Sequence, residues 1–208
     1  MASATGKTAA ELFGVFEIPK RGRGRLVATA VELFYRHGFN AVGLDRVIDE
    51  AGITKTAFYK HFESKADLMV AAVELRDAWE VGAWQAAARR LAGEDPRAQL
   101  LALFDVLDVW FNDAAFGGCL FLNVASEFPN PHDPVHRAAA KHKLANRAWV
   151  RDLAARAGAA DPEAFADLYM VVFEGALVLR QVYHRDDAAR AARPLIERLI
   201  AERIPARA

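Results

Sequence analysis

One cysteine, Cys119, in 208 residues excludes an internal disulfide framework and a cysteine-rich zinc site. No apolar run approaches the roughly 20 residues that a membrane-spanning helix needs. Residues 1–8 lack the apolar core of a secretory signal. The expectation is a soluble, cytoplasmic chain with no membrane partner. Strand-like alternation bounded by turn residues is missing, as is any repeat or low-complexity tract beyond abundant alanine. Net charge is also missing: 27 basic and 27 acidic residues cancel, which excludes a polyelectrolyte built to coat nucleic acid or membrane. A hydrophobic content of 53% excludes wholesale disorder.

The zero sum conceals an asymmetry. Residues 20–62 hold eight Lys/Arg against four Asp/Glu, so the remainder is correspondingly acidic. That pattern suits a basic working end on an acidic body. Helical periodicity runs throughout, with helices expected at 26–37, 44–51, 54–62, 65–91, 96–112, 116–128, 134–157, 162–184 and 188–203. Residues 1–19 read as a flexible tail with a short turn at 9–13, followed by the basic run Lys20–Arg25. That run fits an arm entering an adjacent minor groove or a solvated tail, and general phosphate attraction suits it better than base reading.

The most informative stretch is 44–62, LDRVIDEAGITKTAFYKHF. Two short amphipathic helices meet through Ala51-Gly52-Ile53-Thr54, where Gly52 permits the left-handed backbone of a tight helix–helix turn. Phe58 and Phe62 lie one turn apart and anchor one face, leaving Thr56, Tyr59 and Lys60 on the other. That trio suits base edges and phosphates in a major groove. Periodicity alone fits two packed surface helices equally well.

From Arg23 to Leu68 the segment resembles the DNA-binding domain of the TetR family of transcriptional regulators. The matching residues are Ala30-Val31-Glu32-Leu33-Phe34, Gly38-Phe39, then Ile48 with Ala51-Gly52-Ile53-Thr54-Lys55. Phe58-Tyr59, His61-Phe62, Ser64-Lys65 and Leu68 complete the set. Later, Gly118-Cys119-Leu120-Phe121-Leu122-Asn123 with Glu127-Phe128-Pro129 is similar to a ligand-domain segment found in part of the family.

The resemblance implies an all-α fold. An N-terminal three-helix helix-turn-helix DNA-binding domain (20–64) would precede a larger helical ligand-binding and dimerisation domain (65–208). It implies that Thr54 and Lys55 open the recognition helix at phosphate, Thr56 and Lys60 face bases, and Tyr59 bonds phosphate through its hydroxyl. Lys65 would reach the DNA backbone from a helix N-terminus, with Arg23, Arg25 and His61 completing the interface. One departure is Val42-Gly43 where the family often has Thr-Ser or Thr-Thr. Gly43 can still cap a helix, so the missing hydroxyl bears on affinity rather than fold.

The acidic body is larger than a DNA module needs. Dimerisation is expected through Phe165, Val172, Ala176 and Leu179 with Leu195 and Leu199, giving an isologous four-helix interface in a homodimer. Periodicity allows the same stripes to face the monomer's own core. A dimer would set two recognition helices about 34–36 Å apart on a palindromic double-stranded operator. A small, mainly apolar effector is expected among Phe104, Leu107, Trp110, Phe111, Trp149, Tyr169 and Phe173. Asn123, Glu127 and His136 would orient it, with Cys119 nearby. The function implied is a ligand-responsive repressor that needs no cofactor or metal and is not an enzyme. The alternative class is a small-molecule enzyme or a redox or metal sensor built on Cys119, Glu127 and His136. No nucleophile motif, phosphate loop or cofactor fingerprint supports it.

Overall fold

Ten helices are formed among the residues that the computed structural model describes, 5–14, 19 and 21–205. Lys20 of the basic run lies outside the described residues. The helices are α1 (Ala9–Phe13), α2 (Gly22–His37), α3 (Leu44–Ala51), α4 (Lys55–Tyr59), α5 (Lys65–Ala92), α6 (Pro96–Phe111), α7 (Leu120–Glu127), α8 (Pro134–Ala157), α9 (Pro162–Tyr183) and α10 (Ala188–Arg203). No strand occurs among the described residues.

Packing partitions the chain differently from a division at residue 64. One compact unit comprises residues 1–15, 81–118 and 144–208; the other comprises 16–80 and 119–143. The divisions fall inside α5 and inside α8, so the segment around α7 packs with the helix-turn-helix.

In the first unit α10 packs on both α6 and α9. Tyr169 is fully buried there, and its hydroxyl donates to Leu100 O at 2.7 Å. Burial pushes that phenol well above its usual range, so it stays a neutral donor. Carboxylates of α6 face arginines of α10: Asp105 pairs with Arg193, and Asp108 accepts from Arg190 at 2.5 Å.

The tail expectation is corrected over residues 5–14. Thr8 and Glu11 form a capping box, each closing the other's backbone N–H. Five residues are too few for a self-supporting helix, so docking holds it. Leu12 is 0% exposed in a cluster with Ala87, Val106 and Val109, Phe13 rests on Trp84 at 5.4 Å, and Arg90 donates to the carbonyls of Glu11 and Leu12.

Two helix starts also differ from expectation. α2 begins at Gly22, four residues early, and the Arg23 guanidinium over the Phe62 ring (4.8 Å) fastens its first turn. α7 begins at Leu120, because Gly118 takes a positive φ of 92° that a helix cannot continue through.

Leu12→Ala removes a side chain whose burial is worth about 2–4 kcal/mol, more than so short a helix can spare. Limited proteolysis read by mass spectrometry should show new cleavage within 5–14 in this variant, with the parent resistant there.

Candidate nucleic-acid interface

The second unit builds its helix-turn-helix from the inside outward. α3 turns Val47, Ile48 and Ala51 into the core, with Leu44 half-buried. Gly52 adopts the left-handed conformation (φ 66°, ψ 39°), its N–H reaching Asp49 O, while the Ile53 N–H returns to Ile48 O at 3.2 Å. Thr54 caps α4, accepting the Ala57 N–H at 3.1 Å. Phe58 is fully buried and stacks on Phe62 at 5.8 Å. Thr54, Lys55, Thr56, Tyr59, Lys60 and His61 are consequently exposed, with Tyr59 at 55%. Arg23 and Arg25 are exposed on the first turn of α2, and the Arg25 Nη2 would lie 3.6 Å from a Cβ placed on Gly52. Eight of the nine expected DNA-contacting residues therefore lie exposed on α2 or on the 54–61 stretch.

Two lysines have partners that sequence reasoning did not anticipate. Lys55 Nζ donates to Asp45 Oδ1 at 3.1 Å, which raises the lysine pKa. Lys65, expected at DNA backbone, instead donates to Phe39 O at 2.7 Å, 5.9 Å from the Phe34 ring centroid. Burial lowers its pKa, and the Glu127 charge opposes that shift. In the structure it forms a bracket inside the unit.

Glu127 too has backbone partners. Its Oε1 accepts the Phe39 N–H at 3.0 Å and its Oε2 accepts the Asn40 N–H at 2.7 Å. Hydrogen bonds to a charged group contribute about 1.5–3 kcal/mol each, so the carboxylate is committed to backbone rather than to a ligand. His136 Nδ1 lies 2.7 Å from Phe128 O, which must accept, so that nitrogen carries the proton. Glu127 and His136 thus do not stand as an acid–base pair. Among the described residues no three His, Cys, Asp or Glu side chains converge as a metal site requires.

His142 is the polar residue whose burial tertiary packing decides here. It is 3% exposed, stacks on Phe121 at 3.5 Å with an interplanar angle of 7°, and donates from Nδ1 to Asp77 Oδ1 at 2.7 Å. Beside it, Glu80 is buried and accepts from Arg76 at 2.7 Å. Burial lowers the His142 pKa, opposed by the charges of Glu80 and Asp77. No local pattern marks it, since its partner is 65 residues away.

The residues expected around an effector divide between the units. Cys119, Asn123, Glu127 and His136 belong to the second, with Cys119 buried at the N-cap of α7. In the first unit Phe104, Leu107, Phe111 and Tyr169 are enclosed in the core, and Trp149 is half-buried on α8. Trp110 and Phe173 are half-buried and joined by Trp84, which meets them edge-on at 5.7 and 5.8 Å; Phe116 meets Trp110 at 4.9 Å. Trp84 is the member that sequence reasoning missed.

The dimer residues are corrected in part. Phe165 and Ala176 are buried in their own unit, while Val172, Leu179 and Leu199 are half-buried. The exposed apolar face of α9 carries Leu168, Val171, Val178 and Val182, and Leu195 is exposed on α10.

A family model described as "Bacterial regulatory proteins, tetR family" matches residues 26–72, and "Tetracyclin repressor-like, C-terminal domain" matches 96–196. The HTH-type transcriptional activator FasR of Mycolicibacterium smegmatis is 40% identical over 52 residues, covering 25% of this chain and 24% of that protein. The HTH-type transcriptional regulator YerO of Bacillus subtilis is 34% identical over 76 residues, covering 36% and 26%. The chain thus spans about a quarter of the length of these curated relatives. Similarity to solved structures is longer. A TetR-family transcriptional regulator from Streptomyces coelicolor has a TM-score of 0.77 at 29% identity, covering 86% of this chain and 94% of that one. A TetR-type regulator from Streptomyces avermitilis has 0.75 at 29%, covering 87% and 97%. No helix of the described residues is long and apolar enough to cross a membrane.

The lowered pKa of His142 sets a sign for pH dependence. Its folded value lies below the unfolded one, so its contribution is complete above the unfolded pKa and is lost as pH falls through the folded pKa. Thermal unfolding of the parent and His142→Asn at about pH 7 and about pH 5 should show the parent's advantage shrinking in acid. An advantage that stays constant would contradict a neutral, buried imidazole.

Proposed function

The chain belongs to the TetR family of transcriptional regulators, and we propose that it is a homodimeric, ligand-responsive repressor released from a palindromic operator by a small, mainly apolar effector. The observation that carries the reading is the exposed Thr54–Lys60 face, held by buried Phe58 and Phe62 within the family-matched segment 26–72. Thr56 and Lys60 take the base-reading role, and Tyr59, Thr54, Arg23 and Arg25 take phosphates. Lys55 must exchange Asp45 for phosphate as it docks, an exposed pair whose loss costs little. His61 lies at the edge of this face. The domains of the reading are a DNA-binding part over 20–64 and a ligand-binding and dimerisation part over 65–208. A regulator of this kind acts in the cytoplasm and needs no catalytic step.

The dimer forms through the outer face of α9 with Leu195 of α10. Leu168, Val171, Val178 and Val182 recur at spacings of three, seven and four, an apolar seam with Val171 at 72% exposure. Gly175 lies in the middle of this seam, where an added Cβ would meet nothing within 4 Å. A mid-helix glycine costs about 1 kcal/mol relative to alanine, and its use here is close approach of the partner's α9.

The effector rests against the half-buried rings of Trp84, Trp110, Phe116 and Phe173, which offer faces and edges to a planar apolar molecule. Its binding favours one of two conformers through differential affinity, changing the separation of the recognition helices.

Fluorescence-anisotropy titration of DNA flanking the protein's own gene, at two salt concentrations against scrambled DNA, tests the reading. Saturable preference that weakens with salt is expected; absence of binding to any DNA would sink it. Lys60→Ala should weaken specific binding by about 1–3 kcal/mol with the fold intact. Val171→Glu should sediment as a monomer with unchanged helicity, because two carboxylates would be buried against each other across the two-fold axis.

A further inference from the structure

We propose that Glu127 is a positioning residue for operator recognition, and that α7 is a strut joining the α2–α3 turn to the His142–Asp77 pair. The inference rests on DNA binding by α4 and goes beyond it by naming what sets the turn behind that helix. Both ends of the strut lie within one compact unit.

At one end, opposite charges bracket a single residue. The Phe39 N–H donates to the Glu127 carboxylate, and the Phe39 carbonyl accepts from the Lys65 ammonium. The adjoining Asn40 N–H takes the second carboxylate oxygen, and its Nδ2 lies 3.5 Å from Glu127 O. The Phe39 ring stacks on Phe34 at 4.7 Å and meets Phe128 edge-on at 6.2 Å. Gly38 makes this approach feasible: its φ is 86°, and a Cβ there would stand 3.2 Å from Glu127 Oε1. The bracketed turn leads directly into Val42, Gly43 and α3, whose far end is the turn into the recognition helix.

At the other end, Phe121 lies flat on His142 of α8, which is hydrogen-bonded to Asp77 of α5. Five residues of one helix therefore separate Phe121, stacked on His142 of α8, from Glu127 at the α2–α3 turn. A shift of α8 against α5 that displaces Phe121 is carried by this helix to the amides of Phe39 and Asn40. A carboxylate whose oxygens both accept backbone N–H groups fixes angle as well as distance, as a single bond does not. Glutamine in its place keeps one acceptor and turns an NH₂ donor toward an N–H.

Hydrogen–deuterium exchange resolved by amide tests this in the full chain. Glu127→Gln should raise exchange at Phe39 and Asn40 by about tenfold, leaving the Ile53 amide of the α3–α4 turn unchanged. It should weaken binding to a duplex selected by the parent from a random pool by a similar factor, without altering the salt slope. Phe121→Leu, at the opposite end, should raise exchange at the same two amides, and should add nothing in the Glu127→Gln background. Glu127→Asp, which keeps the charge but shortens the reach, should fall between parent and glutamine. Unchanged amides in Glu127→Gln overturn the positioning role. An undiminished Phe121→Leu effect in the double variant overturns the strut. If the parent selects no duplex, the DNA reading fails separately while the exchange measurements still decide the strut.

Discussion

A helix of five residues such as α4 cannot hold itself together. Fixing the first turn of a helix costs more than one hydrogen bond returns, and α4 is little more than that turn. Its shape comes from its packing and caps: Phe58 buried beneath it, Phe62 stacked on Phe58, Thr54 accepting the Ala57 N–H and Gly52 setting its entry angle. The exposed polar face of α4 is thus a by-product of apolar packing on the reverse side. The same dependence extends one layer back, because α3 enters from a turn whose backbone is clamped between Lys65 and Glu127.

What is local in this fold is legible in the sequence. Gly52, the Thr54 cap and the inward placement of Val47, Ile48 and Phe58 follow from spacing and backbone geometry, and the structure has them so. The capping box Thr8–Glu11 is just as local, and the turn expected at 9–13 is a helix because Leu12 and Phe13 anchor it. Glu127 and Lys65 are different. Their backbone partners are 88 and 26 residues away. A carboxylate at the end of an apolar helix suits a ligand or a pair of amides equally, and only tertiary placement decides.

α9 shows the limit of periodicity from another side. It is apolar on two faces, and a stripe drawn through Phe165, Val172, Ala176 and Leu179 mixes them. The inward face is the one whose polar atom has a partner: Tyr169, sealed from water, has its hydroxyl satisfied by Leu100 O. Phe165 and Ala176 turn inward with it. Leu168, Val171, Val178 and Val182 are left outside, in a number that isolated surface residues do not explain.

Electrostatics follow the same division of labour. In the first unit arginines sit on carboxylates: Arg147 on Glu163 and Asp167, Arg151 on Asp152, Arg190 on Asp108, Arg193 on Asp105. The exposed pairs among them add little to stability because water and salt screen them, but together they offset charge at short range. Residues 20–62 pair Lys55 with Asp45 and still hold eight basic residues against four acidic ones. Each phosphate that such a surplus neutralises releases condensed counterions, steepening the salt dependence by about 0.9 per contact. Zero net charge is therefore no bar to phosphate attraction, because a duplex would meet the local surplus and not the sum.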